Sequence, residues 1–417
     1  MRLGTFDIGL MQPDTNLQTA VSVALLSGGA LVADAAGATP AVSFACGVGA
    51  LALGWLARQA RTAWARDNCL MASDLDADMT AVDQSDYSDI MDTLAAYGLA
   101  GVRHAGVLQG HVITRHLISL PKGTKLGSLP DSDIARDMGV PSVTVTANAG
   151  RGMMALDVPR DDRQTVVFSE LIQSPEWADK RQGMALPVCP AVAVDGKPFV
   201  FDLRKAVHLF VAGTTGAGKS VLVNAIMLSL MDSGRDFVLM VADGKGEDFA
   251  PYYRQSKHLL HADDVTAIAT EVGGIAHQVA WLESEMDRRF AGADKSMPIV
   301  FVIDELADVL GLAKQDKTLR TEERLQRLAQ KGRSANIHMI LCTQSPNSEI
   351  FGQTFRANIP SAIGLKTKTA AQSNVAIQST GCEKLLGDGD ATAVIGSDTI
   401  RIHGALVTKE DLRAYIK

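Results

Sequence analysis

Residues 213–220, Gly213-Thr214-Thr215-Gly216-Ala217-Gly218-Lys219-Ser220, satisfy the spacing G-x-x-x-x-G-K-[ST]. Glycines at these positions let backbone N–H groups turn inward around phosphate oxygens, and a following helix presents its positive end to them. Lys219 then reaches the β- and γ-phosphates, and Ser220 holds Mg²⁺. About 85 residues further on, Pro298-Ile-Val-Phe-Val-Ile-Asp304-Glu305 is an apolar run that ends in two carboxylates. Asp304 is placed to orient Mg²⁺ or its water, and Glu305 to polarise a water for in-line attack on a γ-phosphate. Together the two motifs read as a site that binds ATP with Mg²⁺ and hydrolyses it. Thr343-Gln344, after the apolar run HMILC, is a polar pair where a γ-phosphate could be sensed and the water positioned. Asp243-Gly244-Lys245, after FVLMVA, is another strand-end cluster, open to either a site role or helix capping.

These residues need strands and helices to hold them. FVFDL, HLFVAG, FVLMVAD, PIVFVIDE and HMILCTQ are apolar, β-branched runs suited to central parallel strands buried on both faces. Stretches of ten or more residues, read as helical, separate the runs from HLFVAG onward. The pattern predicts a doubly wound α/β motor domain over 176–417, with the phosphate loop after one of its first strands. Upstream, HVITRHLISL, SVTVTANA and MMALDVP read as strands and SDIARDMGV as a helix, giving a small α+β subdomain over 88–175.

The N-terminal 66 residues differ in kind. Residues 16–33 and 35–57 carry no charged side chain, and Asp34 lies between them in a Gly-Ala-Thr-Pro turn region. Each is near the ~20 apolar residues needed to span a bilayer. Arg58, Arg61 and Arg66 follow, which puts that end in the cytoplasm. The expectation is a two-helix hairpin anchoring the chain in the inner (cytoplasmic) membrane. Residues 67–87 read as an acidic, solvated linker, and a helix starts near Tyr87. A formal net charge of −7 over 417 residues argues against coating nucleic acid with the whole surface. Yet residues 311–368 hold ten Lys or Arg against four Asp or Glu, a local basic excess suited to a polyanion. The five scattered cysteines, with no CxxC pair, read as reduced thiols.

HLFVAGTTGAGKSVLVNAIMLSL, PIVFVIDELADVL, RLAQKGRSANIHMILCTQSP, RANIPSAIGLKT and GCEKLLGDGDA, in this order, resemble the motor of FtsK/SpoIIIE-type DNA translocases, of the HerA/FtsK-like P-loop ATPases. The resemblance covers roughly 88–408. It implies a RecA-like fold and a homo-oligomeric ring, usually a hexamer, that threads double-stranded DNA and hydrolyses ATP between subunits. Arg333, in QKGRSAN, matches an arginine of the family and is implied as a finger reaching a neighbour's γ-phosphate, with Arg356 as the runner-up. Asp243-Gly244-Lys245 stands where the family has Asp-Pro-Lys, and Asn374 and Ala362 where it usually has arginines. The setting stays open between a mobile element, chromosome segregation and viral genome packaging. A coupling ATPase that moves protein at a secretion channel is the alternative from another class.

Overall fold

The computed structural model describes residues 87–417, apart from 127–128, 148, 151, 255, 316–319, 349–350 and 417. The expected membrane hairpin and all but the last residue of the acidic linker lie outside the described residues. Among the described residues no helix is long and apolar enough to cross a membrane.

The first sheet contains β1 (Arg103–Gln109), β2 (Ile113–Ser119), β3 (Thr144–Thr146) and β4 (Met153–Pro159), in the order β1-β2-β4-β3. All three pairings are antiparallel. Alternation along β4 turns Met154 and Leu156 to one face, where they pack under the helices Ser88–Ala96 and Asp131–Asp137 through Leu94, Ile134 and Ala135. The opposite face keeps a smaller cluster of Leu117, Met153 and Ala155.

The second sheet has ten strands. They are β5 (Pro187–Ala193), β6 (Pro198–Asp202), β7 (Leu209–Ala212), β8 (Val238–Ala242), β9 (Ile268–Ala269), β10 (Ile299–Ile303), β11 (Ile337–Thr343), β12 (Ser361–Leu365), β13 (Asp390–Ile395) and β14 (Asp398–Gly404). Their order is β6-β5-β14-β13-β12-β7-β11-β10-β8-β9. From β12 to β9 every pairing is parallel. The other four strands form an antiparallel wing. Successive residues of the parallel strands feed two cores. Leu209, Val211, Val300, Val302, Ile340 and Cys342 face one side with the Lys219–Asp232 helix. Phe210, Ala212, Phe301, Ile303, Met339 and Leu341 face the other, with Ile275, Val279, Leu282, Leu325 and Leu328 from the helices Val272–Phe290 and Thr321–Lys331. Burial on both faces is why these strands read as unbroken apolar runs.

FVFDL corrects the sequence reading. It forms β6, an edge strand antiparallel to β5, not a central parallel strand. The cause is the short connection through Asp195-Gly196, where Gly196 has φ +80° and Ala193 N–H bonds the Lys197 carbonyl at 2.8 Å. A parallel partner needs a crossover of a dozen or more residues, so this link closes a hairpin.

A buried ion network ties the two sheets together. Asp157 of β4 accepts from Arg115 of β2 (2.6 and 2.8 Å) and from Arg401 of β14 (3.3 Å). Arg401 also pairs with Asp390 of β13 at 2.7 Å.

Candidate nucleotide site

β7 ends at Ala212, and residues 213–218 turn the chain into the Lys219–Asp232 helix. At two positions of the turn a side chain would collide with a neighbouring segment. Gly218 has φ +96°, and a Cβ there would lie 3.0 Å from the Gly389 amide nitrogen; a Cβ at Gly213 would lie 2.7 Å from the Leu365 Cβ. Eleven of the helix's fourteen residues are buried, so packing fixes its direction and aims its N-terminus into the loop.

The lysine of the loop does not hang free. Lys219 Nζ donates to Asp304 Oδ1 at 2.6 Å and to the Asp304 carbonyl at 2.9 Å, with both side chains buried. Burial works against the ammonium, but the charges around it outweigh that and hold Lys219 above the ordinary lysine range. Cys342 behind it is pushed up to about 12 by burial, so it is a neutral thiol at physiological pH and Asp304 is the counter-charge. Burial also pushes the Asp304 carboxyl up, against the pull of Lys219, with Asp248 and Asp243 adding to the rise.

Asp304 Oδ2 is buried with no hydrogen-bond partner. Ser220 Oγ donates to Asp248 Oδ2 at 3.0 Å. An orphaned carboxylate oxygen near further carboxylates fits a divalent cation. Mg²⁺ in nucleotide sites takes one or two protein ligands and completes its shell with phosphate and water. Among the described residues no three His, Cys, Asp or Glu side chains converge to hold a metal unaided.

Glu305 is held from the next strand. Thr343 Oγ1 donates to Glu305 Oε1 at 2.6 Å, and the Gln344 N–H donates to Oε2 at 2.9 Å. Gln344 reaches back to the loop, its Oε1 accepting from Thr215 Oγ1 at 2.9 Å. Glu305, Thr343, Gln344 and Thr215 thus form one hydrogen-bonded chain across the C-terminal ends of β10, β11 and β7. A cavity of about 730 Å³ opens beside Thr214, Thr215, Gly216, Gly218, Lys219, Ser220, Asp248 and Gln344. Its far wall comes from Val112, residues 163–166, residues 386–389 and residues 403–406. Ala217 lies beneath, its carbonyl accepting from Gly389 N–H at 3.0 Å.

Other residues singled out in the sequence fall elsewhere. Asp243 organises its own loop, its carboxylate accepting from the N–H groups of Gly246, Phe249 and Ala250 at 2.9–3.0 Å. Arg333 is exposed in the 3₁₀ turn Gly332–Ala335, before β11, whereas Thr343 ends that strand at the nucleotide site. A seven-residue strand separates the two by roughly 20 Å. Arg356 is buried: its guanidinium donates to the Val375 and Ala376 carbonyls at 2.9 and 2.8 Å and lies 4.2 Å over the Phe210 ring. In that position it supports the core and does not present itself to a neighbour. Within the basic stretch 311–368, Arg324 and Arg327 are taken up by Glu283 and Asp287. Cys189, Cys342 and Cys382 are free and buried, as read from the sequence.

The FtsK/SpoIIIE family model matches residues 168–295 and 291–348. The DNA translocase FtsK of Pseudomonas syringae pv. tomato is 32% identical over 74% of this chain and 43% of its own length. The chain belongs to the FtsK/SpoIIIE family. The DNA translocase FtsK of Haemophilus influenzae, 30% identical, is covered over 65% of its length and 73% of this chain. The chain therefore spans about two-fifths of the first of these relatives. A solved structure of the conjugation coupling protein TcpA of pCW3, in monomer form with ATPγS, superposes with a TM-score of 0.53 at 17% identity. It covers 78% of this chain and 96% of its own, and shares the mixed α/β P-loop ATPase fold. In this FtsK/SpoIIIE member the site also contains residues that the sequence reading passed over. Asp248 is one; it lies in the loop after β8, the strand beside β10, and its carboxylate accepts from Ser220. The 386–389 loop is the other. It carried the resemblance as GCEKLLGDGDA, but only the sheet order places it against the phosphate loop.

Proposed function

We propose that this chain is an ATP hydrolase that drives double-stranded DNA through a homo-oligomeric ring, a hexamer in the family's usual form, tethered to the inner membrane by residues 1–66. The observation that supports it most directly is Glu305 fixed at both oxygens beside the Lys219–Asp304 pair, within a family of P-loop ATPases. Residues 213–220 cradle the triphosphate. Lys219 exchanges its Asp304 partner for β- and γ-phosphate oxygens. Ser220 and Asp304 hold Mg²⁺, which supplies charge neutralisation at those phosphates. Glu305 takes a proton from the attacking water, whose oxygen bonds to the γ-phosphorus as the bridging bond breaks, leaving ADP and inorganic phosphate. Arg333 of an adjoining subunit is the finger that meets the developing charge, because in its own chain it lies at the far edge of the sheet.

The deciding measurement is steady-state ATP hydrolysis by the full chain, with and without duplex DNA, over a range of salt. Duplex should raise the rate, and rising salt should erase the gain. Lys219→Ala and Glu305→Gln should abolish turnover. A rate indifferent to duplex at low salt would sink the DNA reading and favour a coupling ATPase with a protein substrate.

A further inference from the structure

At the edge of the large sheet opposite the phosphate loop, a second cavity of about 540 Å³ is lined by Arg204, Lys205, Lys295, Arg333 and Asn336, with one carboxylate, Asp202. That carboxylate is already engaged by backbone. Its Oδ1 accepts from Leu186 and Arg204 N–H (3.1 and 3.0 Å), and its Oδ2 from Ala185 N–H (3.1 Å). Among the described residues Arg204, Lys295 and Arg333 form no ion pair. Clustered cations repel, and such an arrangement is relieved by an anion.

The cavity is also preorganised. It is built from three chain segments that are cross-linked underneath. Asn336, at φ +57°, ends the turn that carries Arg333, and its Nδ2 donates to the carbonyls of Lys295 (2.9 Å) and Ser296 (3.2 Å). Arg289 donates to the carbonyls of Ala335 (2.8 Å) and Met297 (3.0 Å), and is itself fixed by Glu285 at 2.7 Å. His338 donates from Nδ1 to the carbonyl of Val207, the residue that ends the Leu203–Ala206 turn carrying Arg204. Val207 has φ +69°, a conformation a β-branched residue rarely adopts and one that surrounding structure must enforce.

We propose that this cavity receives the terminal phosphates of a nucleotide seated in the phosphate loop of a second copy of the chain, with Arg204 and Lys295 gripping alongside Arg333. The inference rests on the ring proposed above and adds two residues to the shared site. The chain's own nucleotide is out of reach, since the strands separate the two edges by roughly 20 Å. At the opposite edge the complementary charge is that of the nucleotide's own phosphates, since Asp304 and Glu305 lie buried beneath the loop, Asp304 paired with Lys219. Two different faces of one chain that match each other form a head-to-tail contact, the kind that closes into rings.

Arg204 and Lys295 are exposed, so Arg204→Gln/Lys295→Gln should fold as the parent does. In the full chain this double variant should bind ATPγS within about twofold of wild type while kcat falls about tenfold or more. Mixing it in equal parts with Glu305→Gln should then raise activity above that of either variant alone. Random assembly places an intact loop against an intact cavity at about a quarter of the contacts. Three results would overturn the proposal: wild-type turnover in the double variant, a mixture that co-assembles yet gains no activity, or loss of duplex binding with DNA-independent hydrolysis intact. The last would assign the cavity to the DNA backbone. A wild-type chain that hydrolyses no ATP is a separate outcome; it overturns the proposed function, and this inference with it.

Discussion

Thr343 Oγ1 lies 2.6 Å from Glu305 Oε1, across two neighbouring parallel strands. Both groups are buried, and the second Glu305 oxygen is held by the next residue's N–H. A carboxylate pinned at both oxygens keeps one orientation, and that is what a base for in-line attack requires.

Replacing Thr343 by valine keeps the shape and deletes the hydroxyl. A hydrogen bond to a charged group contributes about 1.5–3 kcal/mol, which corresponds to roughly a 10- to 100-fold fall in kcat if the orientation matters only in the transition state. KM for ATP should stay near wild type, because the hydroxyl touches Glu305, the proposed base, rather than the phosphate loop. Thr343→Ser should restore most of the rate. Steady-state kinetics on the three proteins decides the point, and an unchanged kcat in the valine variant would remove Thr343 from the mechanism.

Gly218→Ala should abolish nucleotide binding while leaving the fold. The position has φ +96°, and the new Cβ would press at 3.0 Å on the amide nitrogen of Gly389, which itself bonds the loop at Ala217. Strain of this kind costs about 1–3 kcal/mol, too little to unfold a chain of this size but enough to displace the cradle. Fluorescent-nucleotide titration beside a thermal melt separates the two effects. Tight binding by the variant would show that the loop tolerates a side chain.

The phosphate loop and the Asp304-Glu305 pair were legible in the sequence because each is contiguous: a local spacing fixes its geometry whatever surrounds it. The parallel strands were legible because both faces are buried. The antiparallel wing was not, for two reasons. β5, β13 and β14 mix Pro, Gly, Thr and charged residues, and β6 looked like a core strand although the Asp195-Gly196 turn, readable in the sequence, makes it a hairpin partner. Relations across the fold could not be read at all. Asp248 beside Ser220, Gly389 against Ala217 and the cations opposite the loop depend on which strands neighbour each other. Arg333 and Arg356 stood as first choice and runner-up for the finger; burial of Arg356 and exposure of Arg333 separate them further.

Acid should weaken the small sheet before it weakens carboxylate pairs elsewhere. His116 in β2 is buried with Nδ1 3.0 Å from His104 Nε2, and Tyr87 stacks on His104 with ring centres 4.0 Å apart. Burial, then the neighbouring His104, push His116 down to about 4, against the Asp157 carboxylate, which raises it. The folded value lies below the unfolded one of about 6.5, so the unfolded chain takes up the proton first. Stability is therefore full above pH ~6.5 and falls as pH drops towards 4, by on the order of 3 kcal/mol across the window. Urea unfolding at pH 7 and pH 5 should show this loss, and His116→Gln should reduce it. An identical pH dependence in the variant would assign the effect to other buried histidines such as His208, which burial also lowers.

Arg401 should prove the strongest single tie between the two sheets. It is buried and pairs with Asp390 and Asp157, and Asp390 Oδ2 also accepts from Leu386 N–H at 2.8 Å. Arg401→Met keeps the length and removes the charge, which leaves Asp390 buried without its cation and Asp157 with Arg115 alone. Breaking a buried pair at one partner costs about 3–5 kcal/mol, so Tm should fall by about 5 °C or more. Adding Asp390→Asn should return part of that loss, since the stranded charge goes with it. The damage should also reach the nucleotide. The 386–389 loop hangs from Asp390 and supports Ala217 through Gly389, so ATPγS affinity should weaken several-fold in the single variant and recover with the fold in the double. A single variant that melts like wild type would show that Arg115 and packing suffice to seat the small sheet. One that melts early yet binds ATPγS normally would break the link between the junction and the phosphate loop.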